Sequence, residues 1–130
     1  MALKEARVSE IETYLHSKLK ASGVSTHVYA AIPAALGTDV DEFVVLDVAN
    51  NVYDKGAYAH TAVNIYLYAK PNKSGFKNVA KLEKMEEAFE TFLKDSDSES
   101  YSIVPIYSKA GYNASYNFHY VFEAINLIIK

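Results

Sequence analysis

Residues 56–93 carry a single register through a strand, a turn and a helix, and that order admits few folds. Ala59, Thr61, Ala62, Val63, Ile65, Leu67 and Ala69 alternate with Tyr58, His60, Asn64, Tyr66 and Tyr68. This is the period of a strand with one side against a core and the other side tyrosine-rich and polar. Pro71, Asn72, Ser74 and Gly75 break the strand. Val79, Leu82, Met85, Ala88, Phe89, Phe92 and Leu93 then recur at helical spacing, so the helix lies back over the sheet. Such a unit is a scaffold, and no catalytic group stands out in it.

Upstream, Val8, Ile11, Leu15 and Leu19 define one face of a helix over residues 8–22, with Tyr14 at its edge. Ser9 and Glu12 have capping-box spacing, which predicts a start at Ser9, with residues 3–6 able to extend it upstream. Gly23 is the expected stop. Residues 24–32 read as a first strand and Glu42–Val48 as a second, with Val44, Leu46 and Val48 on one side. Residues 50–56 read as a loop or an irregular hairpin arm. Residues 94–100 alternate acids with serines and have no apolar anchor, which predicts a mobile spacer. Residues 101–107 give a fourth strand, in which Pro105 points to an edge or a bulge. Residues 110–113 read as a turn, and residues 115–128 as the last strand. There Tyr116, Phe118, Tyr120, Phe122 and Ala124 alternate with Ser115, Asn117, His119 and Glu123, and the apolar parity then passes to Ile125, Leu127 and Ile129. That change requires a bulge or a second buried interface. The expectation is one α+β domain spanning residues 1–130, ordered α-β-β-β-α-β-β, with two helices on one face of an antiparallel four- to five-stranded sheet.

At 130 residues, half of them apolar, the chain buries roughly two thirds of its unfolded surface and needs no metal or disulfide to fold. It has no cysteine, which excludes disulfides, thiolate metal sites and cysteine nucleophiles. The charged start, Met1-Ala2-Leu3-Lys4-Glu5-Ala6-Arg7, lacks the apolar core of a signal peptide, and no apolar run is long enough to span a bilayer. The expectation is a soluble, intracellular chain with no membrane partner. A formal net charge of -3 gives no general attraction for nucleic acid.

The sequence contains no phosphate-binding glycine loop, serine nucleophile elbow or zinc-protease helix. His16, His27, His60 and His119 fall in separate elements. Asp39, Asp41 and Glu42, like Asp95, Asp97 and Glu99, lack the glycine and terminal ligand of a calcium loop and read as solvated acids. No catalytic, cofactor or metal residue is expected. Two surfaces stand out instead. Tyr58, Tyr66 and Tyr68 share the non-core side of the third strand, suited either to cross-strand aromatic pairing or to burial by a neighbouring subunit. Lys70, Lys73, Lys77, Lys81 and Lys84 precede Glu86, Glu87 and Glu90, an order opposed to the helix dipole. These lysines read as a solvated face, or as the contact for an acidic neighbour or passing DNA. Pro33 and Leu36 in one loop, and Val52 and Tyr53 in another, complete the candidate interface.

The succession of an N-terminal helix, Val28-Tyr29-Ala30-Ala31-Ile32-Pro33, Glu42-Phe43-Val44-Val45-Leu46-Asp47-Val48, the glycine-led strand Asn64-Ile65-Tyr66-Leu67-Tyr68-Ala69, an amphipathic helix and two closing strands resembles the tail-terminator and tail-completion proteins of long-tailed bacteriophages and prophages. The resemblance spans the chain from about Ile11 onward. It implies a homo-oligomeric ring, six-membered in that family, that caps the tail tube, stops its polymerisation and offers a docking surface to the neck or head-completion protein. It implies no enzymatic duty and no cofactor. DNA is cargo through the ring's channel, and the place of action is the virion's tail-neck region after assembly in the host cytoplasm. This sequence departs from that family in one respect: residues 33–41 and 50–56 carry no long, strongly patterned arm. A head-tail connector, or a small α+β ligand-binding or enzymatic domain, are the alternative readings.

Overall fold

A computed structural model describes the backbone of residues 2–37, 39–48, 53–54 and 59–130, and the side chains of residues 8–37, 39–48 and 59–130. In chain order the elements are α1 (Ala2–Ser22), β1 (Val28–Tyr29), β2 (Glu42–Val48), β3 (Tyr53–Asp54), β4 (Ala59–Ala69), α2 (Val79–Asp95), β5 (Tyr101–Asn113) and β6 (Phe118–Ile129). The sheet runs β1-β2-β4-β6-β5, and β3 pairs with the start of β4. The fold is α+β, with both helices on one face, as the order of elements predicts. Two features differ from the expected four- to five-stranded antiparallel sheet: the two-residue β3 adds a sixth strand and a fourth before α2, and β1 runs parallel to β2, with Val28 opposite Val44.

The helix-covered core explains the apolar spacing of both helices. Ile11, Leu15 and Leu19 of α1 and Leu82, Met85, Phe89 and Phe92 of α2 pack with Val44, Leu46, Val63, Ile65 and Leu67 of the central strands. α1 starts before Ser9, because residues 2–7 contain no breaker and several strong helix formers. Ser9 is therefore an interior residue, whose carbonyl accepts from Thr13 Oγ1 at 3.0 Å. Gly23 ends the helix at φ 80°, a conformation that costs other residues energy, and its N–H bonds the Lys20 carbonyl. For α2, Asn78 caps the first turn by accepting from the Lys81 N–H at 3.1 Å.

β1 is much shorter than the 24–32 strand expected from composition. Ser25 Oγ accepts from the His27 N–H in a local turn, so Val24 is buried from a non-strand position, and the chain leaves the sheet again after Tyr29. The 94–100 segment also differs from a mobile spacer. Ser96 is fully buried, its hydroxyl donates to the Phe92 carbonyl, and its own carbonyl accepts from the Tyr14 hydroxyl at 2.7 Å. The anchor is polar, which is why an apolar pattern does not reveal it.

β5 continues to Asn113, and the turn falls at residues 114–117 rather than 110–113. As Pro105 suggests, β5 is an edge strand and its register against β6 shifts between Pro105 and Tyr107. The parity change in the last strand needs no bulge in β6, whose pairing with β4 is continuous from Ala69↔His119 to Ala59↔Ile129. Both faces of β6 are buried instead, each over part of its length. Val121, Ile125, Leu127 and Ile129 join the helix-side core, while Phe118 enters a second cluster on the opposite face. Glu123, expected on the polar side, therefore sits on the helix side and is only 8% exposed.

Candidate functional site

The helix-free face carries most of the chain's unusual chemistry. Val40, Phe43, Val45, Tyr68 and Phe118 form its buried cluster, with Tyr29, Leu36, Tyr66, Tyr116 and Tyr120 packed around it. Because paired residues of adjacent strands share a face, their rings line up across the sheet. Tyr29 lies 5.9 Å from Phe43, which stacks on Tyr68 at 4.4 Å and 10°. Tyr68 meets Tyr120 at 5.3 Å, Tyr66 meets Phe122 at 4.8 Å, and Tyr107 meets Phe122 at 5.6 Å. The result is an aromatic band touching β1, β2, β4, β6 and β5. Gly111 belongs to it, because a Cβ there would come within 2.3 Å of the Tyr120 ring.

Tyr66 and Tyr68, expected on the non-core side of the strand, do lie on this face, but in different surroundings. Tyr68 is only 3% exposed and is packed within its own chain, whereas Tyr66 is partly open. Ile32, Val45, Asp47, Tyr66 and Tyr68 contribute to a cavity of about 390 Å³ beside the band. Burial holds both hydroxyls above the ordinary tyrosine value, and the Asp47 carboxylate adds to the shift at Tyr66. At neutral pH the cavity therefore presents neutral phenols, with the exposed Asp47 side chain beside them. Asp47 escaped notice in the sequence, although it is the one charge following the apolar run Phe43-Val44-Val45-Leu46, and strand alternation puts it on the face of Phe43 and Val45, where it is exposed while they are buried.

The lysines do not form a single patch. Lys70, Lys73 and Lys81 converge with Asp41 on a cavity of about 500 Å³ at the start of α2, and Lys81 also pairs with Glu42 at 3.4 Å. Lys77 instead borders a groove of about 300 Å³ between α2 and β5, alongside Glu83, Glu86 and Lys109. Lys84 is exposed on α2. Between Lys73 and Lys77 stands Phe76, 71% exposed, on a turn fastened by Asn72. Asn72 Oδ1 accepts from the N–H groups of Ser74 and Phe76 at 3.0 Å each, and the Asn72 N–H bonds the Phe76 carbonyl at 2.8 Å. An aromatic residue inside a turn rich in Asn, Ser and Gly was the sequence signal for this feature.

Of the loop residues, Pro33 is half-buried and Leu36 packs on the second cluster. Val52 and Tyr58 lie outside the described residues, and Tyr53 is described only by its backbone, opposite His60 in β3. Glu123 accepts from Ser108 Oγ, and burial pushes its carboxyl up, with the nearby Glu86 charge adding to the effect. Among the described residues there is no group of three His, Asp or Glu side chains placed to hold a metal ion. No helix among them is long and apolar enough to cross a membrane.

No protein-family model matches the chain, and no curated protein matches it. Among solved structures, a chain of the virion of a native gene transfer agent particle shares the fold, with a TM-score of 0.52 and 17% identity over 88% of this chain and 90% of that chain.

Proposed function

We propose that this chain is a structural subunit of a phage-like virion, acting at the end of the tail tube as a ring that stops polymerisation and receives the neck. The likeness in fold to a chain of the gene transfer agent virion, over almost the full length of both chains, carries this reading. The order of elements that resembles tail terminators supports the finer assignment. The chain acts without catalysis, through shape: one surface of each subunit meets a different surface of the next, and repetition around an axis closes the ring. One rim then faces the tube and the other the neck protein, and DNA passes along the axis. Subunits are made in the host cytoplasm and end in the tail-neck region of the virion.

Purified chain is to be mixed with polymerising tail-tube protein, and the products measured by light scattering and negative-stain imaging. The expected result is tubes of limited length carrying a terminal ring. Tubes that lengthen equally with and without the chain, together with a chain that stays monomeric at every concentration, would overturn the reading.

A further inference from the structure

The Tyr66 cavity and the Phe76 turn are complementary. The cavity is walled by tyrosine rings and aliphatic side chains and bears the Asp47 carboxylate at an exposed position. Its volume of about 390 Å³ lies in the range of sites that enclose a side chain or a small ligand. An aromatic group next to a cation suits such walls, through ring stacking, cation–π attraction and an ion pair. Among the large apolar residues exposed in the described structure, Phe76 is the most exposed. Lys73 and Lys77 flank it. The others either belong to the cavity wall, as Ile32 does, or lie in β5 and at the start of α2. The turn is also held in shape by the Asn72 hydrogen bonds, so it loses little freedom on docking. Phe76 is not among the residues lining the Tyr66 cavity, and Lys70, where the chain leaves β4 toward the turn, lies four positions or roughly 13 Å beyond Tyr66.

We propose that the Tyr66 cavity of one copy receives the Phe76 turn of a second copy, with Phe76 seated against Ile32 and Tyr66 and Lys77 paired with Asp47. The proposal rests on the ring-forming reading above and supplies its contact. Because the two surfaces differ, the contact is heterologous, the type that closes rings. Asp47 supplies orientation and rate of encounter, and Phe76 supplies most of the holding energy.

The chain has no cysteine, so engineered thiols are unambiguous probes. Phe76→Cys and Ile32→Cys are to be made in separate chains, mixed equally and oxidised mildly, alone and with tail tubes. The expected product is the mixed disulfide, well in excess of random pairing; a random mixture of dimers overturns the contact. A charge exchange tests the same contact independently. Asp47→Lys and Lys77→Glu should each weaken assembly about tenfold or more, and combining them in one chain should restore it. A double variant no better than either single one overturns the pairing. Normal rings with random disulfides would refute this contact and leave the ring reading standing. Mixed disulfides without any ring, even on tubes, would uphold the contact and refute the ring.

Discussion

Leu67 and Phe89 are the most direct probes of the packing between β4 and α2, since both lie in the helix-side core and are 0% and 3% exposed. Truncating either to alanine should cost about 2 to 5 kcal/mol, because a close-packed core only partly collapses around the space left behind. Midpoints of chemical denaturation close to wild type would contradict that packing. Glu123 offers a probe of opposite sign. Its folded-state carboxyl is raised, chiefly by burial, so the folded chain holds this proton more tightly than the unfolded chain does. Its contribution therefore becomes less favourable as pH rises from the ordinary glutamate range through the raised value. Glu123→Gln keeps an acceptor for Ser108 and removes the charge. The variant should be more stable than wild type once pH exceeds the raised value, with the difference shrinking as pH falls through that value and vanishing below the ordinary glutamate range, about 4. Urea titrations at several pH values check this, and a constant difference would rule it out.

At the scale of elements, the segment between α2 and β5 shows how polar anchors substitute for apolar ones. Ser96 is buried at the junction, and the Tyr14 hydroxyl of α1 donates to its carbonyl. Beyond it, Asp97 accepts from Ser102 Oγ at 2.6 Å, and Lys130 Nζ bonds the Ser98 carbonyl at 2.8 Å. The segment therefore joins α1, α2 and the two closing strands. Tyr14→Phe should cost about 1 kcal/mol and speed hydrogen exchange in residues 96–101, because it removes one such tie and leaves most of the packing. Exchange unchanged across that segment would mean that the tie does not hold it. In β5, Gly111→Ala should cost about 1 to 3 kcal/mol by displacing the Tyr120 ring from the aromatic band. A near-UV circular dichroism change should accompany the loss, and an unchanged spectrum would show that the ring moves freely.

For the whole molecule, the structure alters which substitutions test assembly cleanly. Tyr68 stacks on Phe43 within the chain, so replacing it would confound folding with association, and Tyr66 is the better choice. Lys81 is already engaged by Glu42, so reversal is better confined to Lys73, Lys77 and Lys84. That triple change to glutamate should leave the unfolding midpoint nearly unaltered. It should impair ring formation most at low ionic strength, where surface charges are least screened. Tyr66→Ser should impair it at any ionic strength. Uniform tails joined to heads in both variants would locate the interface elsewhere, with Pro33 and Leu36 the next residues to change. Replacing the four histidines together with asparagine or glutamine should leave the proposed assembly largely intact in a variant whose unfolding midpoint shows that it still folds, the His16 ring being bonded to the Val28 carbonyl at 3.1 Å.

Hydrophobic periodicity is a local property, and it was sufficient to identify Glu42–Val48, nearly all of β4, the apolar face of each helix and the α+β class. Each of these depends on one side of an element facing a core, and the side-chain period records that directly. Gly23 and Pro105 were equally legible, because a stop at positive φ and an edge-strand bulge are backbone constraints carried by a single residue. The parallel pairing of β1, the polar anchoring of Ser96 and the burial of Glu123 depend on residues distant in sequence, and no local pattern encodes them. The candidate surface divides in the same way. The alternation of β4 was enough to put Tyr66 and Tyr68 on the face away from the helices. It took the packing of Phe43 and Phe118 from neighbouring strands to enclose Tyr68 and leave Tyr66 beside Asp47 at an open cavity. A strand's period specifies which face a side chain takes, and the strands beside it specify how much of that side chain remains available to a partner.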